Sequence, residues 1–301
     1  MIRKDIIDLF RVPTNGKFRL KDCNPGWKQS VEFEDFGKDA LKERAQQVLA
    51  QNLADLCEAQ NLLYADDRHS VLIVLQAMDA AGKDGTIKHV MSGVNPQGCQ
   101  VFSFKKPSAE DLDHNFLWRY MKCLPERGRI GIFNRSYYED VLVVKVHPEL
   151  IGRQLPRKKR KINKKFWAQR YEDINAFERH LVRNGTLILK FFLNVSKEEQ
   201  KARFLERLDR KEKNWKFSAA DLAERDYWDD YMAAYEDALR ATSTKWAPWY
   251  VIPADHKWVT RAVVADIVTN AIQDLELRYP EVTAEQEKLL NIARETLAAE
   301  K

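Results

Sequence analysis

The sequence predicts an α/β fold, a five-stranded parallel sheet with helices on both faces and therefore three layers. Three observations predict it. Five short apolar runs lack the alternation of a half-solvated strand, so each reads as buried on both faces. Segments of helical period separate them, the pattern of a covered parallel sheet. No internal repeat or Gly/Ser linker divides the chain, so residues 1–301 read as one domain.

The elements follow in order. Residues 35–63 carry Leu41, Ala45, Val48, Leu49, Leu53 and Leu56 at helical spacing, an amphipathic helix. "VLIVLQA" (71–77) is the first strand, and residues 83–94 are a helix. Strand 98–104 precedes a helix over 108–122, and strand 129–136 precedes a helix from 137. Residues 146–163 form the one long irregular insertion, followed by a helix over 163–184; the whole stretch at about 150–184 reads as a lid. "TLILKFFLNV" (186–195) is the fourth strand. Capping boxes open the next helices at Ser196 with Glu199 and at Ser218 with Asp221, the second helix running to about 241. The fifth strand is 249–255, and helices at 258–279 and 284–298 close the chain, the last opened by Thr283 with Gln286.

Composition excludes several classes. Hydrophobic residues make up 45%, ordinary for a globular domain. No apolar run has the length of a bilayer span, and the N-terminal stretch lacks a secretory pattern, so a cytoplasmic protein with no membrane partner is expected. Cys23, Cys57, Cys99 and Cys123 lack metal or redox spacing and read as reduced thiols. The net charge of +5 is local: residues 153–165, "RQLPRKKRKINKK", hold eight basic residues and no acid. A local block points to a polyanionic partner.

"MDAAGKDGT" (78–86) supplies the chemistry. It follows a strand and opens a helix, the arrangement in which first-turn amides meet an anion. The cradle is expected over Ala80, Ala81, Gly82, Lys83, Asp84, Gly85 and Thr86, with Gly82 allowing the turn and Lys83 adding a charge near terminal phosphates. Two positions depart from G-x-x-x-x-G-K-[ST]: Ala77 replaces the first glycine and Asp84 the hydroxyl. A metal-ligating hydroxyl is thus missing, and Asp79 becomes the first candidate for Mg²⁺, with Mn²⁺ as the alternative ion. Asp84 reads equally as a first-turn acid favoured by the helix dipole, and Thr86 as a solvated hydroxyl.

"FNRSYYED" ends the third strand, where open α/β sheets bind ligands. Arg135 is the expected phosphate clamp, since its planar fork holds two oxygens. Asp140 is the second candidate metal ligand, or an orienting carboxylate, and Asn134 and Glu139 are candidates for contacting a nucleotide. Glu139 and Asp140 equally suit an acidic helix start.

These stretches, together with "EKNWKFS" and "APWYVIPADHKWVTR", resemble the polyphosphate kinase 2 family, specifically its short class III group, from about residue 15 to 280. The resemblance implies a thymidylate-kinase-like P-loop kinase fold with a helical lid. It implies Mg²⁺-dependent, reversible phosphoryl transfer from inorganic polyphosphate to AMP and ADP, giving ATP, with guanine nucleotides as further acceptors. It also implies a homo-oligomer, dimer or tetramer. The departures from the ordinary loop match the family. On this reading Asp79, Lys83, Arg135 and Asp140 are catalytic.

A chain of linked anions needs a row of cations. Arg157, Lys158, Lys159, Arg160, Lys161, Lys164 and Lys165 form one candidate row. Arg203, Arg207 and Arg210, at i, i+4 and i+7, form another, continued by Lys213 and Lys216. Glu199, Glu206 and Asp209 interleave the second row, so surface ion pairs explain it equally. Two rival functions fit in part. An ATP-dependent nucleotide kinase would leave the basic block without a task. A non-enzymatic nucleic-acid-binding module would use the block, but no recognition motif accompanies it, and no nucleic acid partner is expected.

Overall fold

The computed structural model describes residues 2, 4–27, 38–153, 155, 161–216 and 218–300. Helices of eight or more residues are labelled α1–α7. The sheet order is β2-β3-β1-β4-β5, with every ladder parallel. Its strands are β1 Ser70–Gln76, β2 Cys99–Ser103, β3 Ile130–Asn134, β4 Thr186–Asn194 and β5 Trp249–Pro253. Each coincides with an expected strand to within two residues at either end. All of β1 is buried, and β4 is buried except at Leu187, as continuous apolar runs require. Edge strand β2 is partly exposed throughout.

Helix α1 (Lys38–Asp66) packs along α6 (Lys257–Gln273), which also touches α2 (Lys83–Val90), forming one layer. Inside that layer Asn52 donates to Asp266 at 2.9 Å, with both residues buried. Helices α3 (Lys164–Arg183) and α5 (Trp228–Thr242) pack together on β4 and the loops after β3. Between these layers the aromatic and branched residues of the strands form one continuous core.

Three expected helices are broken. The 108–122 segment forms Ala109–Asp113 and Trp118–Met121. Ser108 caps the first piece in a full capping box, and Asn115 Oδ1 accepts from Leu117 N at 3.0 Å, restarting the second. After β3 the chain makes a 3₁₀ turn, Tyr137–Val141, and then one short helix, Val143–Val146. The tighter turn buries Tyr137 and Tyr138 together. The 218–241 segment is a short helix Ala219–Ala223, a 3₁₀ turn Glu224–Tyr227, and then α5.

An N-terminal feature has no signal in the periodicity. Phe10 and Val12 run antiparallel beside β5, with Val251 N donating to Phe10 O at 2.8 Å and Val12 N to Trp249 O at 2.9 Å. The contact covers the outer edge of the sheet. Helix α4 (Lys197–Asp209) follows β4, and α7 (Ala284–Ala299) is exposed along its length.

Among the described residues, no helix is long and apolar enough to cross a membrane.

Candidate active site

The loop after β1 sits at the carboxyl end of the central strand. Gly82 is the N-cap of α2 at φ 109°, a conformation side chains rarely adopt, and a Cβ there would lie 3.6 Å from Arg203 Nη1. Ala80 is also left-handed, at φ 61°. Ala81 N donates to Met78 O and Thr86 N to Gly82 O. By helix geometry the amides of Lys83, Asp84 and Gly85 have no intrahelical partner, which suits them to meet an anion.

Lys83 is buried, and its Nζ donates to Ala77 O at 2.8 Å and Met78 O at 3.3 Å. Burial and the nearby Arg135 guanidinium lower its pKa to about 8, against the pull of Asp79, Glu139 and Asp84. The ammonium thus rests on backbone dipoles, close to its deprotonation point.

Arg135 follows β3 at φ 63°, and its amide continues the ladder to Leu75 O at 3.0 Å. The kink turns its guanidinium onto Asp79, Nη2 to Oδ1 at 2.7 Å. Burial opposes its charge, but Glu139 and Asp79 outweigh burial and raise its pKa. Burial raises the Glu139 pKa, while Arg135 and Lys83 pull it down. Gln76 Nε2, at the end of β1, donates to Ser136 Oγ at 3.2 Å. The ends of β1 and β3 therefore bring Asp79, Lys83, Arg135 and Glu139 into one electrostatic cluster.

The other candidates from the two motifs have these partners. Asp140 is buried and acts on Tyr120, whose hydroxyl burial first and Asp140 second push far upward. The leading charges on Lys83 and Arg135 include Glu139. Asn134 Nδ2 donates to Asp84 Oδ1 at 2.8 Å, joining the two motifs. Thr86 is buried, not solvated as its position suggested, because α6 covers that side of α2.

The basic rows separate. Arg157, Lys158, Lys159 and Arg160 lie outside the described residues, as does the side chain of Lys216. Lys161, Lys164 and Lys165 are exposed at the start of α3. Arg203 is buried and turned inward. It donates to Ala80 O at 3.1 Å, Ala81 O at 2.7 Å, Ala254 O at 2.5 Å and Asp255 O at 3.2 Å, and to Glu199 Oε1 at 2.7 Å. Gln200 Nε2 adds a bond to Asp79 O at 2.9 Å. Arg203 is thus a brace for the loop. Arg210 pairs with Glu206 at 3.1 Å and Glu212 at 2.7 Å, and Lys213 with Glu206 at 2.6 Å. Arg207 lies 3.8 Å from Asp221.

In the sequence Asp221 reads only as a capping residue. Burial raises its carboxyl pKa first and Asp79 second, with Arg207, Arg135 and Lys83 opposing, so it belongs to the charge cluster. Tyr231 and Tyr235 join from α5, their hydroxyls pushed up by burial and then by carboxylates that include Glu139 and Asp79. Tyr231 donates to Glu224 Oε2 at 2.6 Å, and His147 Nε2 lies 3.0 Å from the same oxygen. These contacts join distant stretches of sequence and leave no spacing signal.

Among the described residues no group of three or more His, Cys, Asp or Glu forms a ready-made metal cluster. Mg²⁺ is commonly held by one or two carboxylates, with phosphates and waters completing its shell. Asp79, a carboxylate at the mouth of a phosphate-shaped loop with Oδ1 on Arg135, fits that manner of binding.

Comparison with known proteins agrees with the geometry. The family model described as Polyphosphate kinase 2 (PPK2) matches residues 39–280. An ADP-polyphosphate phosphotransferase of Rhodopseudomonas palustris is 54% identical over 257 residues, 85% of this chain and 89% of that protein. An AMP/ADP-polyphosphate phosphotransferase of Meiothermus ruber is 46% identical over 281 residues, 93% of this chain and 98% of that protein. The crystal structure of polyphosphate kinase 2 from Arthrobacter aurescens TC1 matches with a TM-score of 0.83 at 39% identity, covering 95% of this chain and 96% of that one. The matched region contains the loop, the second motif and all five strands, and this chain belongs to the polyphosphate kinase 2 family.

Proposed function

We propose that this protein transfers the terminal phosphoryl group of inorganic polyphosphate to AMP and ADP, reversibly and toward ATP, with guanine nucleotides as further acceptors. One observation carries the reading. At the carboxyl ends of β1 and β3, Lys83 and Arg135 share one charge cluster with Asp79 and Glu139, beside the first amides of α2. A family named for polyphosphate transfer, with near full-length relatives named for ADP and AMP, supplies the substrate class.

Phosphoryl transfer asks the protein mainly for positioning and charge stabilisation. The α2 amides and Lys83 grip the donor's end phosphates. Arg135 clamps the moving phosphoryl group with its planar fork. Asn134 and Glu139 face the acceptor nucleotide. Asp79 would hold Mg²⁺, or Mn²⁺ in its place, and that ion would neutralise charge on the phosphates. Lys161, Lys164 and Lys165 lead the polyanion inward. The protein works in the cytoplasm as a homo-oligomer, a dimer or a tetramer.

The test compares donors. Purified protein is given AMP or ADP with either long-chain polyphosphate or ATP, and product nucleotides are quantified. Polyphosphate is expected to drive formation of ADP and ATP. Transfer from ATP with none from polyphosphate would instead establish a conventional nucleotide kinase.

A further inference from the structure

Beneath the second motif lies a set of charges that the phosphate site does not use. Lys190, in the middle of β4, and Glu178, on α3, are both fully buried, with Nζ and Oε2 2.6 Å apart. Glu178 Oε1 also accepts from Tyr137 OH at 2.9 Å and Tyr138 OH at 2.8 Å. Lys190 Nζ donates further to Tyr138 OH at 2.9 Å and to Thr242 O at 2.8 Å. All three ammonium hydrogens are spent, and both carboxylate oxygens accept.

A buried ion pair is weak evidence for stability. Its desolvation cost commonly equals or exceeds the attraction, and well-packed apolar residues often serve as well. The position of this pair therefore calls for another account. Tyr137 and Tyr138 open the 3₁₀ turn that carries Glu139, two residues beyond the left-handed Arg135. Glu178 belongs to the helix that leaves the basic insertion, and Thr242 ends α5, the helix carrying Tyr231 and Tyr235.

We infer that the Glu178–Lys190 pair is a positioning device for the transfer reaction: by fixing Tyr137 and Tyr138 it sets Arg135 and Glu139 in the geometry that grips the transferred phosphoryl group. Neither residue touches the site, so both act through the two tyrosines. The inference rests on the assignment of Arg135 as the phosphate clamp.

The experiment replaces the network by an apolar one of similar volume, Glu178→Leu, Lys190→Met, Tyr137→Phe and Tyr138→Phe together. The expected protein melts within a few degrees of the parent. Its kcat is at least tenfold lower, while KM for ADP stays within about threefold, as for an interaction realised in the transition state. Arg135→Ala is then made in both backgrounds. It is expected to cost much less in the network variant, because the clamp is already misplaced there. A folded network variant with parental kcat, or additive losses with Arg135→Ala, overturns the inference. If the fourfold variant does not fold, the same cycle is run with Tyr138→Phe alone, with the same two outcomes. Full turnover by Arg135→Ala in the parent background would sink the clamp assignment itself, which separates the two failures.

Discussion

Two lysines of this protein are buried in opposite ways. Lys83 rests on the carbonyls of Ala77 and Met78, while Lys190 is held by Glu178, Tyr138 and Thr242. Burial lowers the pKa of both. Lys190 has a hydrogen-bonded carboxylate to offset that cost, and all its hydrogens are used. Lys83 donates to neutral oxygens only, so its positive charge stays available to an arriving anion. On the proposed function, the difference separates a lysine that organises the interior from one that receives a ligand.

The largest effects should divide along that line. Lys83→Met should lower turnover by about 10²–10³-fold, as for loss of one preorganised donor, with little change in melting temperature. Lys190→Met leaves Glu178 buried without its ammonium and should cost about 3–5 kcal/mol of stability, read by denaturant titration. A large stability loss for Lys83→Met and none for Lys190→Met would reverse the assignment. Next in size is the loop brace. Arg203→Met removes donors to Ala80, Ala81, Ala254 and Asp255, and should reduce kcat by about tenfold to a hundredfold through misplacement of the loop.

A pH profile sharpens the contrast. The Lys83 pKa is lowered to about 8, so the charged form is present below that pH and lost as pH rises through it. kcat/KM, which reports the unliganded enzyme, should fall about tenfold per pH unit above about pH 8. For stability the sign is opposite. Between about 8 and the ordinary 10.5 the unfolded chain holds the extra proton, so Lys83 makes stability rise with pH there. A kcat/KM flat to pH 10 would show that Lys83 does not need its charge. Smallest is the exposed basic start of α3. Lys164→Ala with Lys165→Ala should raise KM for long-chain polyphosphate about two- to threefold, less at high salt, and leave kcat unchanged, since exposed charges act weakly and are screened.

The sheet was legible because strands buried on both faces must be continuously apolar. The placing of the loop between strand and helix was legible because Gly82 and Lys83 follow closely on the apolar run. The arginine row shows where legibility stopped. Spacing alone makes Arg203, Arg207 and Arg210 one outward face, yet Arg203 and Phe204 are buried while Leu205 and Leu208 are about half exposed. The inward turn follows from the loop's carbonyls, which lie more than a hundred residues away in sequence. Asp221 joined the cluster through tertiary folding alone. Lys190 did leave a signal, a lone charge inside an apolar strand, which demands a buried partner. The sequence could not say that the partner was Glu178. Two of the broken helices have identifiable causes: the local bonds of Ser108 and Asn115 in one, and the burial of Tyr137 and Tyr138 in the other.

The most direct test of Lys83 as the donor's seat is proton uptake on polyphosphate binding, measured at pH 8.5 by calorimetry in two buffers of different ionisation enthalpy. A phosphate on Nζ restores the ammonium that burial has weakened, so net uptake is expected in the parent and none in Lys83→Met. Uptake of equal size in both proteins would place the donor elsewhere.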